Sequence, residues 1–299
     1  MLSFTDTGIN IDDGVTFNGK WSVESEELAW EYSLDQGQTW TQGSGDFFIV
    51  QGDGAKMIWV RARDDFGNTS EIVRVNCVLD TTPPQSVSVT PASEGLTRTL
   101  QVAGLEPGAR WEYSIDEQAT WLPGAGAGLG VLGNGLARVW LRQVDLAGNA
   151  STPQPAVLEA EGSDAWHEAS GVALQPSVLT TTTALRTLLV HGAVVRGDAD
   201  YVRWDIPVNH RLVSVRLLQY VSEDAVSFYA LQRSAVFDAG VDVNRMLVYG
   251  HMGPPDLARN VVANVPAGSL GAGPVTLWFQ QTGAQTTRYA IEVVFEPLP

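Results

Sequence analysis

Two short acidic segments have residue types and a spacing that suit calcium binding. In the first, Asp64 and Asp65 precede a glycine and Asn68, and in the second Asp145 precedes a glycine and Asn149. Calcium prefers six to eight oxygen ligands, which adjacent loops supply. The alternative is a turn in which the aspartate and the asparagine bond to their own backbone. The sequence leaves both interpretations open.

Further acidic residues follow each of these segments. Asp80 comes after the first, and Asp164 comes after the second, between Glu161 and Glu168. Because calcium draws ligands from adjacent loops, we predict structural Ca²⁺ between domains. The predicted ligands are Asp64, Asp65, Asn68, Asp80, Asp145, Asn149 and Asp164. Acidic loop positions between residues 198 and 242 suit calcium or a sugar, with a solvated loop as the alternative: Asp198, Asp200, Asp205, Glu223, Asp224, Asp238 and Asp242.

An internal repeat positions these segments. Residues 30–40 return as residues 111–121, and residues 59–70 return as residues 140–151, both at an offset of 81. The repeat predicts two modules of one design, module 1 over residues 1–80 and module 2 over residues 81–160. A third domain covers residues 161–299, with a linker to about residue 170.

Short alternating segments separated by turns predict an all-β fold. About seven strands in about 80 residues indicate a sandwich in each module, and the alternation in the third domain indicates a jelly roll. We therefore predict two tandem Ig-like β-sandwiches followed by a jelly-roll-like β-sandwich. Residues 80–84 form a proline-stiffened linker. Residues 124–135 are predicted as a glycine-rich loop, with a bulged strand as the alternative. Residues 256–263 are predicted as a short helix, and residues 282–287 as a hairpin turn between two strands.

Composition excludes several classes of partner. The chain of 299 residues has 34 acidic and 18 basic side chains, for a net charge of −16. This charge argues against binding to nucleic acid and to anionic membranes. The single cysteine, Cys77, alternates with polar neighbours and is predicted to be a buried strand thiol. No signal peptide and no membrane span are expected.

Motifs for catalysis are weak. The histidines lack zinc spacing and no G-x-S-x-G occurs, so we predict no catalytic residues, no bound organic cofactor and no enzyme activity. Residues 33–40 fit S-x-D-x-G-x-T-W and resemble the Asp-box hairpin of sialidase propellers, in which the motif is structural. Two modules do not supply the four or more blades of a propeller. Sialidase-like catalysis is kept as an alternative.

The repeated blocks resemble the bacterial Ig-like modules of large surface adhesins of the repeats-in-toxin (RTX) or biofilm-associated (Bap) type. The matching residues are 30–40, 60–70 and 79–83, and again 111–121 and 141–151, although Gln118 departs from the motif. The third domain resembles the bacterial pre-peptidase C-terminal (PPC) domain over residues 200–207, 249–253 and 275–283.

These resemblances imply a non-catalytic, exported, calcium-stiffened chain at the bacterial cell surface. Its expected role is that of a spacer and ligand-presenting segment in cell adhesion or biofilm formation. The expected partners are a cell-surface glycan or protein and other domains of a larger parent protein, with the segment itself monomeric. The alternative is an accessory region of a secreted protease, nuclease or glycosidase.

Overall fold

The computed structural model describes residues 2–24, 29–94, 97–133, 136, 138–158 and 168–299. Their regular structure is almost entirely strand, which confirms the prediction of an all-β chain. The helical elements among the described residues are three single 3₁₀ turns, Val243–Arg245, Pro254–Asp256 and Ala267–Ser269. No helix in the described part of the chain is long and apolar enough to cross a membrane.

The chain divides into two compact units. Unit 1 consists of Met1–Val87, Gly104–Arg110 and Arg142–Pro153. Unit 2 consists of Ser88–Ala103, Trp111–Leu141 and Gln154–Pro299. Both units therefore take residues from module 2, and the domain limits expected from the repeat stay a prediction.

Unit 1 contains a three-stranded and a five-stranded sheet. The sheet orders are β1-β3-β6 and β2-β8-β7-β4-β5, and all neighbours for which a pairing direction is given are antiparallel except β2 and β8. The strands are β1 (Leu2–Phe4), β2 (Val15–Thr16), β3 (Lys20–Val23), β4 (Ala29–Ser33), β5 (Thr41–Gln42), β6 (Phe47–Ile49), β7 (Gly54–Arg63) and β8 (Val73–Leu79).

The core of unit 1 forms because alternate residues of these strands are apolar. Trp21, Trp30 and Phe48 are buried together, and Cys77 lies among them with Ile58 and other aliphatic side chains. The prediction of a buried thiol is confirmed. Burial raises the pKa of Cys77, so the thiol stays protonated and inert.

Unit 2 contains three sheets, except that residue 110 and residues 142–144 of their strands belong to unit 1. Their orders are β19-β23-β17-β13-β10-β9, β12-β11-β14-β15 and β16-β18-β22-β20-β21. The first strands are β9 (Ser88–Glu94), β10 (Thr97–Ala103), β11 (Arg110–Ser114), β12 (Leu122–Pro123), β13 (Gly128–Gly133), β14 (Arg138–Val144) and β15 (Gln154–Val157). The later strands are β16 (Ser177–Leu179), β17 (Thr187–Val194), β18 (Ala199–Ile206), β19 (His210–Val221), β20 (Ser227–Gln232), β21 (Val248–Met252), β22 (Gly273–Gln280) and β23 (Thr287–Pro297).

The six-stranded sheet of unit 2 combines strands from the repeat with strands from the region that follows it. Strand β13 pairs in parallel with β17, with Leu129 opposite Thr187 and Gly133 opposite His191. The five-stranded sheet shares one apolar core with it, in which Trp204 and Phe279 are completely buried beside Phe295. The two sheets thus form a β-sandwich.

A buried polar network lies in the same unit. The Tyr113 hydroxyl donates to Glu292, whose other carboxylate oxygen accepts from the guanidinium of Arg216 at 2.8 Å. Glu292 is completely buried. A buried carboxylate is tolerated only when its oxygens are paired, so this network requires both partners.

The prediction of a glycine-rich loop over residues 124–135 is wrong for residues 128–133, which form β13. Its glycines permit close packing where a side chain would not fit. A Cβ at Gly130 would meet Leu188 at 2.9 Å, and one at Gly133 would meet the backbone oxygen of His191 at 1.6 Å. Glycine in a strand marks such a close approach.

The helix predicted over residues 256–263 does not form. The chain makes one 3₁₀ turn, Pro254–Asp256, and Ala258 then adopts a φ of +64°. A left-handed alanine interrupts helical geometry. Asn260 next bonds to the backbone of Val213 and Val215, which fixes the segment against β19.

The hairpin predicted at residues 282–287 is also wrong. Strand β22 pairs with β18 and β20, whereas β23 pairs with β17 and β19. The connecting segment therefore crosses from one sheet of the sandwich to the other. A short connection between two strands favours direct pairing, but here the partners of both strands come from elsewhere in the sequence.

Candidate functional site

The repeated S-x-D segment forms a self-contained turn. In module 1, Oδ1 of Asp35 accepts from the Ser33 hydroxyl at 2.7 Å and from the Thr39 N–H at 2.9 Å, and Oδ2 accepts from the Thr39 hydroxyl. Hydrogen bonds from Thr39, together with one from Ser33, lower the pKa of Asp35 to about 2. Both oxygens of this carboxylate are therefore used in hydrogen bonds within the turn.

Module 2 builds the same turn despite a substitution. Asp116 accepts from Ser114 and from both donors of Thr120 at matching distances. Gln118 adopts a φ of 71° where module 1 has Gly37 at 84°. The second copy thus reaches the same geometry with a residue that is strained in this conformation.

The first predicted calcium segment closes on itself. Oδ1 of Asp64 accepts from the backbone N–H groups of Phe66 and Asn68, and Oδ2 accepts from the Asn68 amide at 2.8 Å. The hydrogen bond from the Asn68 side chain is the largest cause of a lowered Asp64 pKa. Asp65 is exposed next to this turn.

The second segment brings together three of the predicted ligands. Asn149 donates its amide to Oδ2 of Asp145 at 2.9 Å and to the backbone oxygen of Asp80 at 2.8 Å. Oδ1 of Asp145 accepts from the N–H groups of Gly148 and Asn149. Both oxygens of Asp145 therefore accept N–H donors of Gly148 and Asn149, as the alternative of a hydrogen-bonded turn predicts.

Calcium itself stays a prediction for this chain. Within the described ranges, no group of three or more His, Cys, Asp or Glu side chains is arranged to hold a metal. Asp164 and Glu161 lie outside the described residues.

One structural carboxylate was not identified from the sequence. Asp53 accepts from the N–H and hydroxyl of Thr81, and its Oδ2 accepts from the Thr82 hydroxyl at 2.5 Å. These hydrogen bonds lower the pKa of Asp53, and the bond from the Thr82 side chain is the largest cause. They fix the start of the linker over residues 80–84. In the sequence, the two threonines of that linker are the one signal for a carboxylate that accepts their hydrogen bonds.

Asp200 is a buried acid in unit 2. Oδ2 accepts from the Tyr289 hydroxyl at 2.6 Å, while Oδ1 is buried without a partner among the described residues. Burial raises the pKa of Asp200 to about 7, the Tyr289 bond opposes this, and the charges of Asp198 and Glu168 add to it. Asp200 is therefore partly protonated near neutral pH.

The open face of the five-stranded sheet carries a groove that sequence reasoning missed. On β20, Phe228 lies between His251 and Gln280 in the strand register, and Ala230 lies between Tyr249 and Trp278. Residues two apart on a strand share a face. Ala230 itself is completely buried in a small cluster with Phe237 and Ala239, and the groove lies beside it, lined by Tyr249 and Trp278 from the two flanking strands.

This aromatic groove has a volume of about 280 Å³. Tyr249 is 49% exposed, and the neighbouring Val241 is 87% exposed. Its lining combines rings, aliphatic side chains and uncharged polar groups: Phe228, Val241, Val243, Met246, Tyr249, His251, Trp278, Gln280 and Thr282. Such a mixture is typical of ligand sites.

Contacts beneath the groove hold its rings in place. The Trp278 ring packs edge-on against Phe228 at 4.8 Å and against Phe237 at 5.3 Å, and it stacks with Tyr201. The indole N–H of Trp278 donates to Oε1 of Gln280 at 3.1 Å. The groove is thus formed before any ligand binds.

No protein-family model matches the chain, and no curated protein matches it significantly. Among solved structures, a cytokine receptor complex is 14% identical, with a TM-score of 0.31 over 55% of this chain and 99% of that one.

Two further solved structures span nearly the whole chain. One was solved with a xylogluco-oligosaccharide and is 10% identical, with a TM-score of 0.28 over 99% of this chain and 78% of that one. The other concerns carbohydrate-binding modules of the β-sandwich superfamily and is 8% identical, with a TM-score of 0.23 over 95% and 92%. These similarities are too distant to indicate a function.

Proposed function

We propose that this chain is a non-catalytic, extracellular segment of a bacterial surface adhesin. In this role unit 1 is a spacer, and unit 2 presents a ligand site. The observation that supports a binding role is the open aromatic groove of unit 2, whose rings are partly exposed although the sheet beneath them is fully packed. An exposed apolar patch rimmed by polar groups is typical of a binding site.

Hydrogen bonds of unit 1 support the spacer role. Asp53 fixes Thr81 and Thr82, and Asn149 bonds to the backbone of Asp80 immediately before them. Two prolines follow at positions 83 and 84. Because each fixed residue removes conformational freedom, these contacts favour a stiff connection over a flexible one.

The hydrogen bonds of four turn aspartates support a non-catalytic role. Asp35, Asp116, Asp64 and Asp145 each use both oxygens to close a turn. A catalytic acid or base must be free to exchange a proton with a substrate. These four side chains are instead built into the backbone turns that they stabilise.

An attachment assay tests the proposal. Beads coated with the full chain are allowed to settle on bacterial and host cells, and retention under flow is measured. We expect retention above that of beads coated with an unrelated β-sandwich protein of similar net charge, and competition by soluble chain. Retention equal to that of the control beads on every cell type would contradict an adhesive function.

A further inference from the structure

We propose that the aromatic groove binds an uncharged pyranose unit of a glycan. This inference rests on the proposed ligand-presenting function and assigns a ligand class to the same site. The groove lies on the face formed by β20, β21 and β22, where Ala230 separates Tyr249 from Trp278.

The shape of the groove suits a sugar ring. A pyranose has an apolar C–H face, which packs against aromatic side chains, and a rim of hydroxyl groups. Tyr249 and Trp278 supply the aromatic surface on opposite sides of Ala230, and Tyr249 is about half exposed. A volume of about 280 Å³ admits one or two such rings.

Polar groups at the groove suit hydroxyl ligands. Gln280 accepts from the Trp278 indole through Oε1, which orients its amide so that the NH₂ group remains available to donate. His251 and Thr282 are exposed beside it. An apolar peptide side chain would desolvate these groups without bonding to them, at a cost that sugar hydroxyls avoid.

Charge argues for an uncharged glycan. None of the described side chains that line the groove is Asp, Glu, Lys or Arg. The chain as a whole carries a net charge of −16. A sialylated or uronic-acid glycan would therefore meet a repulsive field with no Lys or Arg among the described lining side chains to pair with, whereas a neutral hexose meets no such repulsion.

Titration of the full chain with oligosaccharides tests the inference. The probes are cellotetraose, maltotetraose and lactose, with sialyllactose as the charged counterpart of lactose, and binding is followed by calorimetry and tryptophan fluorescence. We expect saturable binding of at least one neutral probe and weaker binding of sialyllactose than of lactose. Absence of binding to all neutral probes, or a preference for sialyllactose, would overturn the inference.

Matched variants locate the site. Tyr249→Ala removes an exposed ring from an edge strand and is expected to weaken binding by about tenfold or more, which corresponds to about 1.4 kcal/mol. Gln280→Leu keeps the volume and removes the hydrogen bonds, and it should weaken binding as well. Phe66→Ala removes a ring that is 91% exposed in unit 1 and should leave binding unchanged. Undiminished binding by both groove variants would place the sugar elsewhere.

The two proposals fail in different ways. If beads coated with the Tyr249→Ala chain are retained on cells as well as the wild-type beads and no oligosaccharide binds, the glycan inference is wrong and the adhesive function stands. If a neutral oligosaccharide binds in a Tyr249-dependent manner but coated beads are not retained, the adhesive function is wrong. Tyr249-dependent binding of an apolar peptide in place of every sugar would also overturn the glycan inference.

Discussion

The hydroxyl of Tyr113 donates a 2.7 Å hydrogen bond to Oε1 of Glu292, which lies 179 residues later in the chain. Both side chains are completely buried. Burial, and then the charge of Glu292, raises the pKa of Tyr113 well above its usual value, so the hydroxyl remains a donor at all ordinary pH values. This bond joins the repeat to the region that follows it, within unit 2.

Removal of this hydroxyl should destabilise the chain. A hydrogen bond to a buried charged group contributes about 1.5–3 kcal/mol, so we expect Tyr113→Phe to lower the free energy of unfolding by about that amount in a urea titration. Tyr32→Phe is the matched control, because Tyr32 holds the equivalent position in module 1 and packs its ring on Phe48 at 4.3 Å. Equal losses from both variants would contradict a special role for the Tyr113 bond.

Stability should depend on the pH through Asp200. Its pKa is raised from the usual 3.8 to about 7, mainly by burial. The unfolded chain therefore loses this proton first, and the free energy of unfolding falls as the pH rises from about 4 to about 7. The contribution of Asp200 is complete below about pH 4 and is lost above about pH 7.

Asp200→Asn should flatten this part of the stability profile. The full shift corresponds to about 4 kcal/mol at most, so the difference between chemical denaturation at pH 4.5 and pH 7.5 should shrink in the variant. Asp198→Asn is the comparison, because it removes a smaller contribution to the raised pKa and leaves the buried acid in place, so it should flatten the profile less than Asp200→Asn does. An unchanged pH slope in Asp200→Asn would refute the raised pKa.

The strained turn of module 2 offers a stabilising substitution. Gln118 has a φ of 71°, a conformation that glycine adopts at lower cost. We expect Gln118→Gly to raise the melting temperature, with a gain of about 1 kcal/mol. The reverse change, Gly37→Gln, should cost at least as much, because a Cβ at Gly37 would lie 3.1 Å from the Trp59 ring. Thermal melts of the two variants that shift in the same direction would contradict this account.

The Asn149 amide should stabilise unit 1 as a hydrogen-bond donor. Asn149→Ala removes the bonds to Asp145 and Asp80 and should cost about 1–2 kcal/mol. Asn68→Ala should cost less, because it loses only the bond to Asp64 in its own turn. We expect equal losses in melting experiments with EDTA and with calcium chloride. A loss that appears only with calcium would restore the metal interpretation of this turn.

Local features of the chain could be predicted from the sequence. The S-x-D turns and the Asp–Asn turns close through bonds between residues at most four apart, so their spacing contains the necessary information. Alternation in the third domain likewise predicts β18 and β19, because every second residue over much of each strand is buried.

Features that depend on distant partners could not be predicted in this way. The glycines of β13 resemble a loop in composition, and only the opposing Leu188 and His191 show why side chains are excluded there. The groove could not be predicted either, because Tyr249 and Trp278 belong to two strands that are neighbours of β20 only in the folded sheet, on either side of Ala230.

The parallel pairing of β13 with β17 has a practical consequence. Without β13, one side of β17 would present a row of unpaired N–H and C=O groups. Bare edges of this kind recruit other strands and lead to aggregation. A fragment that begins near residue 170 should therefore tend to oligomerise or precipitate, and any tethering, truncation or transplantation of the groove should keep residues 88–299 in one piece.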